Sequence, residues 1–270
     1  MERPAWAPPG IDLSMPSVSR IYDYYLGGSH NFEVDREAAR RAMEFLPGLP
    51  KIMQANRAFM RRAVRHALSE GVTQFLDIGS GIPTFGNVHE VAQSADASAR
   101  VVYVDHDPVA VAHSQAVLEG NERAAVVAAD LRKPQEILAA PELTGLLDLE
   151  RPVALLLVAV LHFLEDTDDP QAAVAELRDA LAPGSMLIVT HAAYEGIPLD
   201  QETAGGAVDV YRQIKNPLIM RDHDEVARFF EGYEMVEPGL VKMAEWRPET
   251  PVAQEDPYAF SGFAGVGRKA

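Results

Sequence analysis

Three acidic residues stand at the ends of three successive apolar runs, where their carboxylates could contact one ligand. Asp77 ends the run in "TQFLDIG", Asp105 the run in "ARVVYVDHD", and Asp130 follows "AAVVA". Short apolar runs without alternation are typical of strands that are covered on both faces of a parallel sheet. Because ligands of such sheets bind at the carboxyl ends of the strands, we expect the three carboxylates to lie along the ligand edge.

These residue types are suited to an adenosine-containing cofactor. A carboxylate at the position of Asp105 can accept hydrogen bonds from both ribose hydroxyls. A helix N-cap is the alternative role, but Asp107, which precedes Pro108, fits that role better. Asp130 and Leu131 could recognise the amine and one face of an adenine.

A glycine turn follows the first of the three runs. Gly79 and Gly81 in "GSGIPT" lack side chains at a place where the backbone would pass close to a ligand. Dinucleotide-binding turns favour a third glycine, in the pattern G-x-G-x-x-G, whereas this sequence has Thr84 there, preceded by Pro83. Both residues weaken the case for a nicotinamide dinucleotide without excluding one.

The elements that must position these residues predict an α/β fold. Five apolar runs alternate with helical stretches, which predicts a doubly wound, mainly parallel sheet. "GLVKMAEWRP" and "DPYAFSGFAGVGRK" predict an antiparallel C-terminal strand pair. We expect a flexible tail over residues 1–15, an N-terminal helical lid segment over 16–71, and the sheet domain over 72–270 with a helical insertion around 198–231.

The stretch "YDYYLGGSHNF" has two interpretations. Gly27 and Gly28 are typical of a helix end, and the tyrosines could belong to a core. Alternatively, the second glycine permits a close approach, and the turn folds over the cofactor as a lid. In that case Tyr22, Gly28, His30 and Asn31 would face the cofactor or the substrate.

Composition limits the partners. The net charge of -16 argues against nucleic acid, and the dense basic stretch "NRAFMRRAVRHA" is interpreted as a solvated helix face. No stretch has the roughly 18 apolar residues of a membrane span. The chain contains no cysteine. We therefore expect a cytoplasmic protein with a small-molecule substrate, no nucleic acid and no membrane, whose oligomeric state is unknown.

The runs "FLDIGSGIPT", "VVYVDHDPVAVAHS", "AADLRKPQEIL" and "RPVALLLVAVLHFLED" resemble the S-adenosylmethionine-dependent methyltransferases of the Rossmann-like class. A closer resemblance is to a bacterial family of such proteins whose substrate is not established. Residues 20–36 match its "R-x-Y-D-Y-x-L-G-G-x-x-N-F-x-x-D-R" element, and residues 265–269 match its closing "GVGRK". The resemblance spans about residues 17–269 and implies a seven-stranded sheet, S-adenosylmethionine as cofactor, and methyl transfer.

The resemblance also implies roles for individual residues. Asp77, Gly79 and Gly81 would line the methionine and ribose side of the cofactor, with Asp77 near its amino group. His106 would pack beside the adenine, and the backbone from Ala159 onwards would lie beside the sulfonium.

Methyl transfer from a sulfonium depends mainly on orientation, and a general base is needed only if the acceptor must lose a proton. His162 and Tyr194 are candidates for that base and for substrate binding, and His191 is a further one, although each could be purely structural. We expect no metal, since the acidic groups at 165–169 and 222–225 fit a loop and a helix cap. A regulatory protein that binds the cofactor without turnover and an NAD-dependent dehydrogenase remain as alternatives.

Overall fold

A computed structural model of the chain describes residue 7 and residues 11–84, 86–214, 217–249 and 257–270. Most of the predicted tail, and residues 250–256 between the C-terminal strands, lie outside the described residues. No helix in the described ranges is long and apolar enough to cross a membrane.

The centre of the fold is one mixed sheet with the strand order β3-β2-β1-β4-β5-β8-β6. Strands β1 to β5 run parallel, and β8 pairs antiparallel with β5, β6 and β7. The strands are β1 (Gln74–Ile78), β2 (Arg100–Asp105), β3 (Ala124–Ala128), β4 (Ala154–Val158), β5 (Met186–His191), β6 (Tyr233–Met235), β7 (Val241–Lys242) and β8 (Phe263–Lys269). The predicted doubly wound sheet is confirmed.

The C-terminal strand pair is confirmed with a difference in length and number. The first member, β7, has only two residues, because residues after Lys242 turn and bring Trp246 into the core. The three-residue strand β6 adds an eighth strand to the seven that the resemblance implies.

The helices cover both faces of the sheet and its carboxyl edge. They are α1 (Val18–Tyr25), α2 (Glu33–Phe45), α3 (Leu49–Ser69), α4 (Val88–Ala95), α5 (Pro108–Val117), α6 (Pro134–Leu138), α7 (Pro141–Leu146), α8 (Pro170–Ala180), α9 (Gln201–Gln213) and α10 (His223–Ala227). The predicted N-terminal helical segment contains the three helices α1, α2 and α3. The helix that follows the predicted cap at 222–225 is short, since α10 tightens to a 3₁₀ turn at Arg228–Phe230.

Alternate residues of each strand pack into separate apolar clusters. Leu76 and Leu155 face one cluster with α7 and α8, whereas Phe75 and Leu156 face another with α3 and α4. A third cluster joins α1, α2 and α9, for example through Tyr25 and Tyr211. This third cluster covers the carboxyl edge of the sheet, so that the strand ends open onto helices rather than directly onto solvent.

Candidate functional site

A cleft of about 220 Å³ lies at the carboxyl edge of the sheet, between the strand ends and helices α1 and α3. The side chains of the three acidic residues at the strand ends meet there, as the spacing of the runs predicts. The sequence-predicted residues that line the cleft are Tyr22, Asp77, Gly79, Gly81, Asp105, His106, Asp130, Leu131 and Ala159. His162 lines a neighbouring pocket, while Gly28, His30, Asn31 and Tyr194 line neither cavity.

The glycine turn after β1 requires both glycines. Gly79 and Gly81 have φ angles of +74° and +68°, in the left-handed region that favours glycine. A Cβ on Gly79 would come within 2.4 Å of the Val160 side chain. A Cβ on Gly81 would meet nothing within 4 Å, because it would project into open space at the cleft. Gly81 is thus the position at which backbone can approach a ligand.

Asp105 joins this turn to the end of β2. Its carboxylate is buried and accepts hydrogen bonds from the backbone amides of Gly81 (2.7 Å) and Asp107 (2.8 Å). Burial raises the pKa of Asp105, although these two amides oppose the increase. Each carboxylate oxygen retains a lone pair, so the group can still accept two hydroxyl donors from the cleft. The N-cap of α5 is Asp107, as the sequence predicts, since it accepts from Val109 N at 2.7 Å.

Asp77 is a buried carboxyl of the cleft with a strongly raised pKa. Its side chain makes no hydrogen bond within the described part of the chain and is 7% exposed. Burial raises its pKa to about 7, with Arg57 opposing and Asp105 adding to the increase. A cationic group in the cleft would reverse the effect of burial and keep Asp77 ionised.

Arg57 also lines the cleft, although nothing in the sequence distinguishes this arginine from its neighbours in the basic stretch. Its Nη2 atom donates to Asn87 Oδ1 at 3.1 Å and Thr84 Oγ1 at 3.2 Å, while its Nε atom is buried without a partner among the described residues. In contrast, Arg62 of the same stretch donates to the carbonyl of Trp246 at 2.8 Å. Arg57 therefore places a positive charge next to Asp77 and keeps one buried N–H without a partner among the described residues.

The β3 end of the cleft is more open. Asp130 is held by Arg132, whose Nε atom lies 3.0 Å from both carboxylate oxygens. Burial raises the pKa of Asp130, but the hydrogen bonds of Arg132 outweigh it and leave the pKa below its usual value. Leu131 is buried beside it, and His106 lines the cleft with a half-exposed ring. The apolar surface of Leu131 and the carboxylate of Asp130 are thus close enough to contact one planar base.

A second pocket of about 80 Å³ adjoins the cleft. Five residues line both cavities, namely Val18, Tyr22, Asn56, Ala159 and Phe163. The rest of the pocket wall is mainly apolar and comes from α3, α9, the end of β5 and the segment before α10.

A chain of hydrogen bonds fixes the boundary between the two cavities. Ala159, at φ +58°, donates its amide to Thr190 Oγ1 at 2.8 Å. The Thr190 hydroxyl donates to Asn56 Oδ1 at 2.6 Å, and Asn56 Nδ2 donates to the Tyr22 hydroxyl at 2.8 Å. Since Thr190 and Asn56 are buried, the chain holds the backbone after β4 against α1 and α3. Neither Asn56 nor Thr190 was singled out by the sequence, because only the packing of α3 on the sheet makes them neighbours.

The candidate histidines are held as neutral rings. His191 Nδ1 donates to the Ala192 carbonyl at 2.8 Å, and its Nε2 accepts from Arg221 Nη1 at 3.0 Å. Burial lowers the pKa of His191 to about 3. The Ala192 amide donates to His162 Nδ1 at 3.2 Å, which places the proton of that neutral ring on Nε2. Burial lowers the pKa of His162 well below its usual value, and the charge of Arg221 adds to the decrease.

The N-terminal turn does not face the cleft, which corrects the expected lid. Its centre is the buried carboxylate of Asp23, which accepts from His30 N at 2.9 Å and from Asn31 Nδ2 at 2.8 Å. A Cβ on Gly28 would lie 2.0 Å from Asp23 Oδ1, so the second glycine serves this carboxylate rather than a ligand. The His30 ring packs on His113 of α5, with centroids 3.9 Å apart. Only Tyr22 of the four predicted residues lines the cleft.

The rest of the N-terminal motif fastens the helices to the sheet. Arg20 Nε donates to Asp35 Oδ2 at 2.9 Å, and both side chains are buried. Arg20 Nη1 also lies 3.8 Å from Asp107 Oδ2, and the Ser17 hydroxyl donates to the same atom. The conformation of α1 is thereby tied to the start of α5, next to the end of β2.

Tyr194 does not line the site, although Ala193 before it lines the second pocket. Tyr194 lies half-buried in the loop after β5 and lines neither cavity, because the chain turns back there through the bond from Ile197 N to the Tyr194 carbonyl. Among the residues described, no group of three or more His, Cys, Asp and Glu could hold a metal ion.

Comparisons with known proteins agree with this geometry. The model of a family described as S-adenosyl methyltransferase matches residues 4–270. A crystal structure from Thermobifida fusca, provisionally described as a methyltransferase, is 42% identical with a TM-score of 0.92, over 98% of this chain and 99% of that chain. A DUF574 family protein from Streptomyces avermitilis is 41% identical with a TM-score of 0.91, over 96% and 99%. No curated protein matches.

Proposed function

Because the chain belongs to the S-adenosyl methyltransferase family, we propose that it transfers the methyl group of S-adenosylmethionine to a small-molecule acceptor. The methyltransferase activity and the cofactor follow from the family, and the class of acceptor is the proposal. It depends on one observation, the shared wall of the two cavities at Tyr22, Asn56 and Ala159. The larger cavity is suited to an adenosyl amino acid, and the smaller one to a second molecule in contact with it.

The residues of the cleft fit the cofactor. Asp105 has lone pairs left for ribose hydroxyls, and Leu131 offers an apolar face for adenine. The carboxyl of Asp77 and the unpaired Nε of Arg57 match the ammonium and carboxylate of an amino acid. Gly81 leaves the space that a side chain would fill.

When bound, S-adenosylmethionine supplies a methyl carbon that its positive sulfur already activates. The residues of this chain then have to hold the acceptor in line and exclude water. The hydrogen-bond chain from Ala159 to Tyr22 would fix the junction at which the two molecules meet. His191 would orient the wall without exchanging a proton, because both of its ring nitrogens are engaged.

Shape and charge support a small acceptor over a macromolecule. The second pocket, which we call the acceptor pocket, is lined by residues of α1, α3 and α9 among others, and its volume of about 80 Å³ suits a small molecule rather than a segment of a polymer. The net charge of -16 would repel nucleic acid. A cytoplasmic location stays a prediction and agrees with the absence of cysteine.

Calorimetry with S-adenosylmethionine, S-adenosylhomocysteine and NAD tests the cofactor site. We expect the two adenosyl compounds to bind, and Asp105→Ala to weaken their binding sharply while Asp224→Ala, at an exposed position on α10, leaves it unchanged. Binding of NAD alone would instead favour the dehydrogenase. Turnover is then tested by following S-adenosylhomocysteine release across a small-molecule library. Binding without release for any acceptor would favour the regulatory alternative.

A further inference from the structure

The acceptor pocket has a wall without charge. Among the described residues that line it, none is Asp, Glu, Lys or Arg. Its polar groups are the side chains of Tyr22, Asn56, His162, Thr190, His191, Tyr211 and Ser261. A charged acceptor would lose its hydration there without gaining an opposite charge from the protein, which costs several kcal/mol for a buried ion.

Most of these polar groups already have partners inside the protein. Thr190 and Asn56 belong to the chain that ends on Tyr22. Tyr211 OH lies 3.2 Å from Tyr25 OH. Both nitrogens of His191 are engaged as described above. The Nε2 atom of His162 is different, because it has no hydrogen bond within the described residues. Since the neutral ring carries its proton there, His162 presents a donor and not a base.

No other side chain on the wall is suited to remove a proton. The Tyr22 hydroxyl accepts from Asn56 and lies 3.4 Å from the Met53 carbonyl, so it would have to ionise in a buried position. Burial raises the pKa of Tyr22, which makes that ionisation less favourable, although Arg57 opposes the increase. An acceptor that must lose a proton during attack, such as an alcohol, would find no proton acceptor among the described residues of this wall.

From this wall we infer that the acceptor is a small uncharged nitrogen compound, a heteroaromatic base or an aromatic amine, whose second polar group accepts a hydrogen bond from His162 Nε2. This inference rests on the proposed function and names the substrate class of the same pocket. The neutral nitrogen would lie at the junction formed by Tyr22 and Ala159, with the apolar body of the molecule against Phe163 and the residues of α3.

The reaction balances without a base. The nitrogen lone pair forms the new bond to the methyl carbon while the bond from carbon to sulfur breaks, and its electron pair stays on sulfur. The positive charge of the sulfonium passes to the methylated nitrogen, so the total charge in the pocket is unchanged. If the nitrogen carries a hydrogen, the product loses that proton after it leaves for water.

The test compares three acceptor sets on the wild-type protein, namely N-heterocycles and aromatic amines that are neutral at the assay pH, phenols and alcohols, and carboxylic acids, by S-adenosylhomocysteine release. Compounds that do not turn over are tested for binding to the complex with S-adenosylhomocysteine by calorimetry. We expect turnover, or at least saturable binding, for members of the first set only. Turnover of phenols or acids with an inert first set would overturn the inference and leave the proposed function standing. Failure of S-adenosylhomocysteine itself to bind would overturn both.

Substitutions at position 162 test the hydrogen bond, using the best compound of the first set. His162→Gln keeps an N–H near the position of Nε2, whereas His162→Leu removes it. We expect His162→Leu to raise the KM of the acceptor roughly tenfold with little change in kcat or in S-adenosylhomocysteine affinity, and His162→Gln to restore most of the loss. His223→Leu, at an exposed position outside both cavities, is the control. Equal KM values for Leu and Gln would refute the role of His162.

If His162→Leu fails to fold, a change in the acceptor gives the same information. An analogue of the best acceptor in which the second polar group is replaced by CH should then bind the wild-type protein roughly tenfold more weakly. An analogue that binds equally well would overturn the assignment of His162 as its donor.

Discussion

Replacing Asp77 by Asn should stabilise the protein without ligand, and increasingly so as the pH rises. The folded-state pKa of Asp77 is about 7, against an ordinary value of 3.8, because the carboxylate is buried. The native state therefore holds this proton more tightly than the unfolded chain does, and the free energy of unfolding falls as the pH rises from about 4 to about 7. Two pH units of that window lie above pH 5, and each of them lowers the free energy of unfolding by about 1.4 kcal/mol.

We therefore expect the stability difference between Asp77→Asn and wild type to grow by about 2 to 3 kcal/mol between pH 5 and pH 8. Urea unfolding at the two pH values measures it, and the subtraction cancels groups common to both proteins. Asp130→Asn is the matched control. The Arg132 hydrogen bonds hold the pKa of Asp130 below its usual value, so the corresponding difference should not change above pH 5.

Cofactor binding should also depend on pH through Asp77, but in the opposite direction. The affinity should rise with pH, whereas the free energy of unfolding of the ligand-free protein falls. If the ammonium of S-adenosylhomocysteine keeps Asp77 ionised, binding releases a proton below pH 7, and affinity should rise roughly 20-fold between pH 5.5 and pH 7.5. Asp77→Asn should bind more weakly at pH 7.5 and lose most of this dependence. A stability difference that is constant with pH, together with an unchanged binding profile, would refute the assignment of a neutral buried Asp77.

Two further predictions concern the backbone around the site. Gly81→Ala should lower the free energy of unfolding by about 1 to 2 kcal/mol, from its positive φ, and should strongly weaken S-adenosylhomocysteine binding, because its Cβ enters the cleft. Gly79→Ala should lose more stability in chemical unfolding, since its Cβ also overlaps Val160; equal losses would contradict this difference. Asn31→Ala should cost about 1 to 3 kcal/mol in thermal unfolding, through the lost bond to Asp23, while calorimetry shows unchanged cofactor affinity. A large loss of affinity would restore the lid interpretation.

The strand ends could be predicted from the sequence because the information is local. A buried parallel strand has a continuous apolar run, and the residue that ends it must lie at the ligand edge. Asp77, Asp105 and Asp130 were located in this way, and all three line the cleft. The short strands β6 and β7 follow no such rule, because two or three residues carry too little pattern to separate a strand from a turn.

The side-chain contacts of the N-terminal turn and of Arg57 could not be predicted from the local sequence. In the turn, the Asp23 carboxylate accepts from His30 and Asn31, yet a sequence does not reveal whether polar residues point at each other or at a ligand. Similarly, Arg57 and Arg62 share one basic helix, and only the surfaces on which α3 packs decide that one reaches the cleft and the other binds carbonyls near β7. Contacts between distant segments supply that information.

On the proposed function, the methyl donor and the acceptor would be recognised by different segments of the chain, with the third apolar cluster on the acceptor side. The cofactor cleft is built mainly from the ends of β1 to β4, whereas much of the acceptor wall comes from α1, the start of α3, α9 and the segment 217–220. Leu218, Met220 and Tyr211 line only the second pocket. Relatives could thus diversify in the molecules they modify by drift at a few such positions while they inherit an unaltered methyl source, and a directed-evolution library restricted to these positions would sample new acceptors without sacrificing cofactor binding.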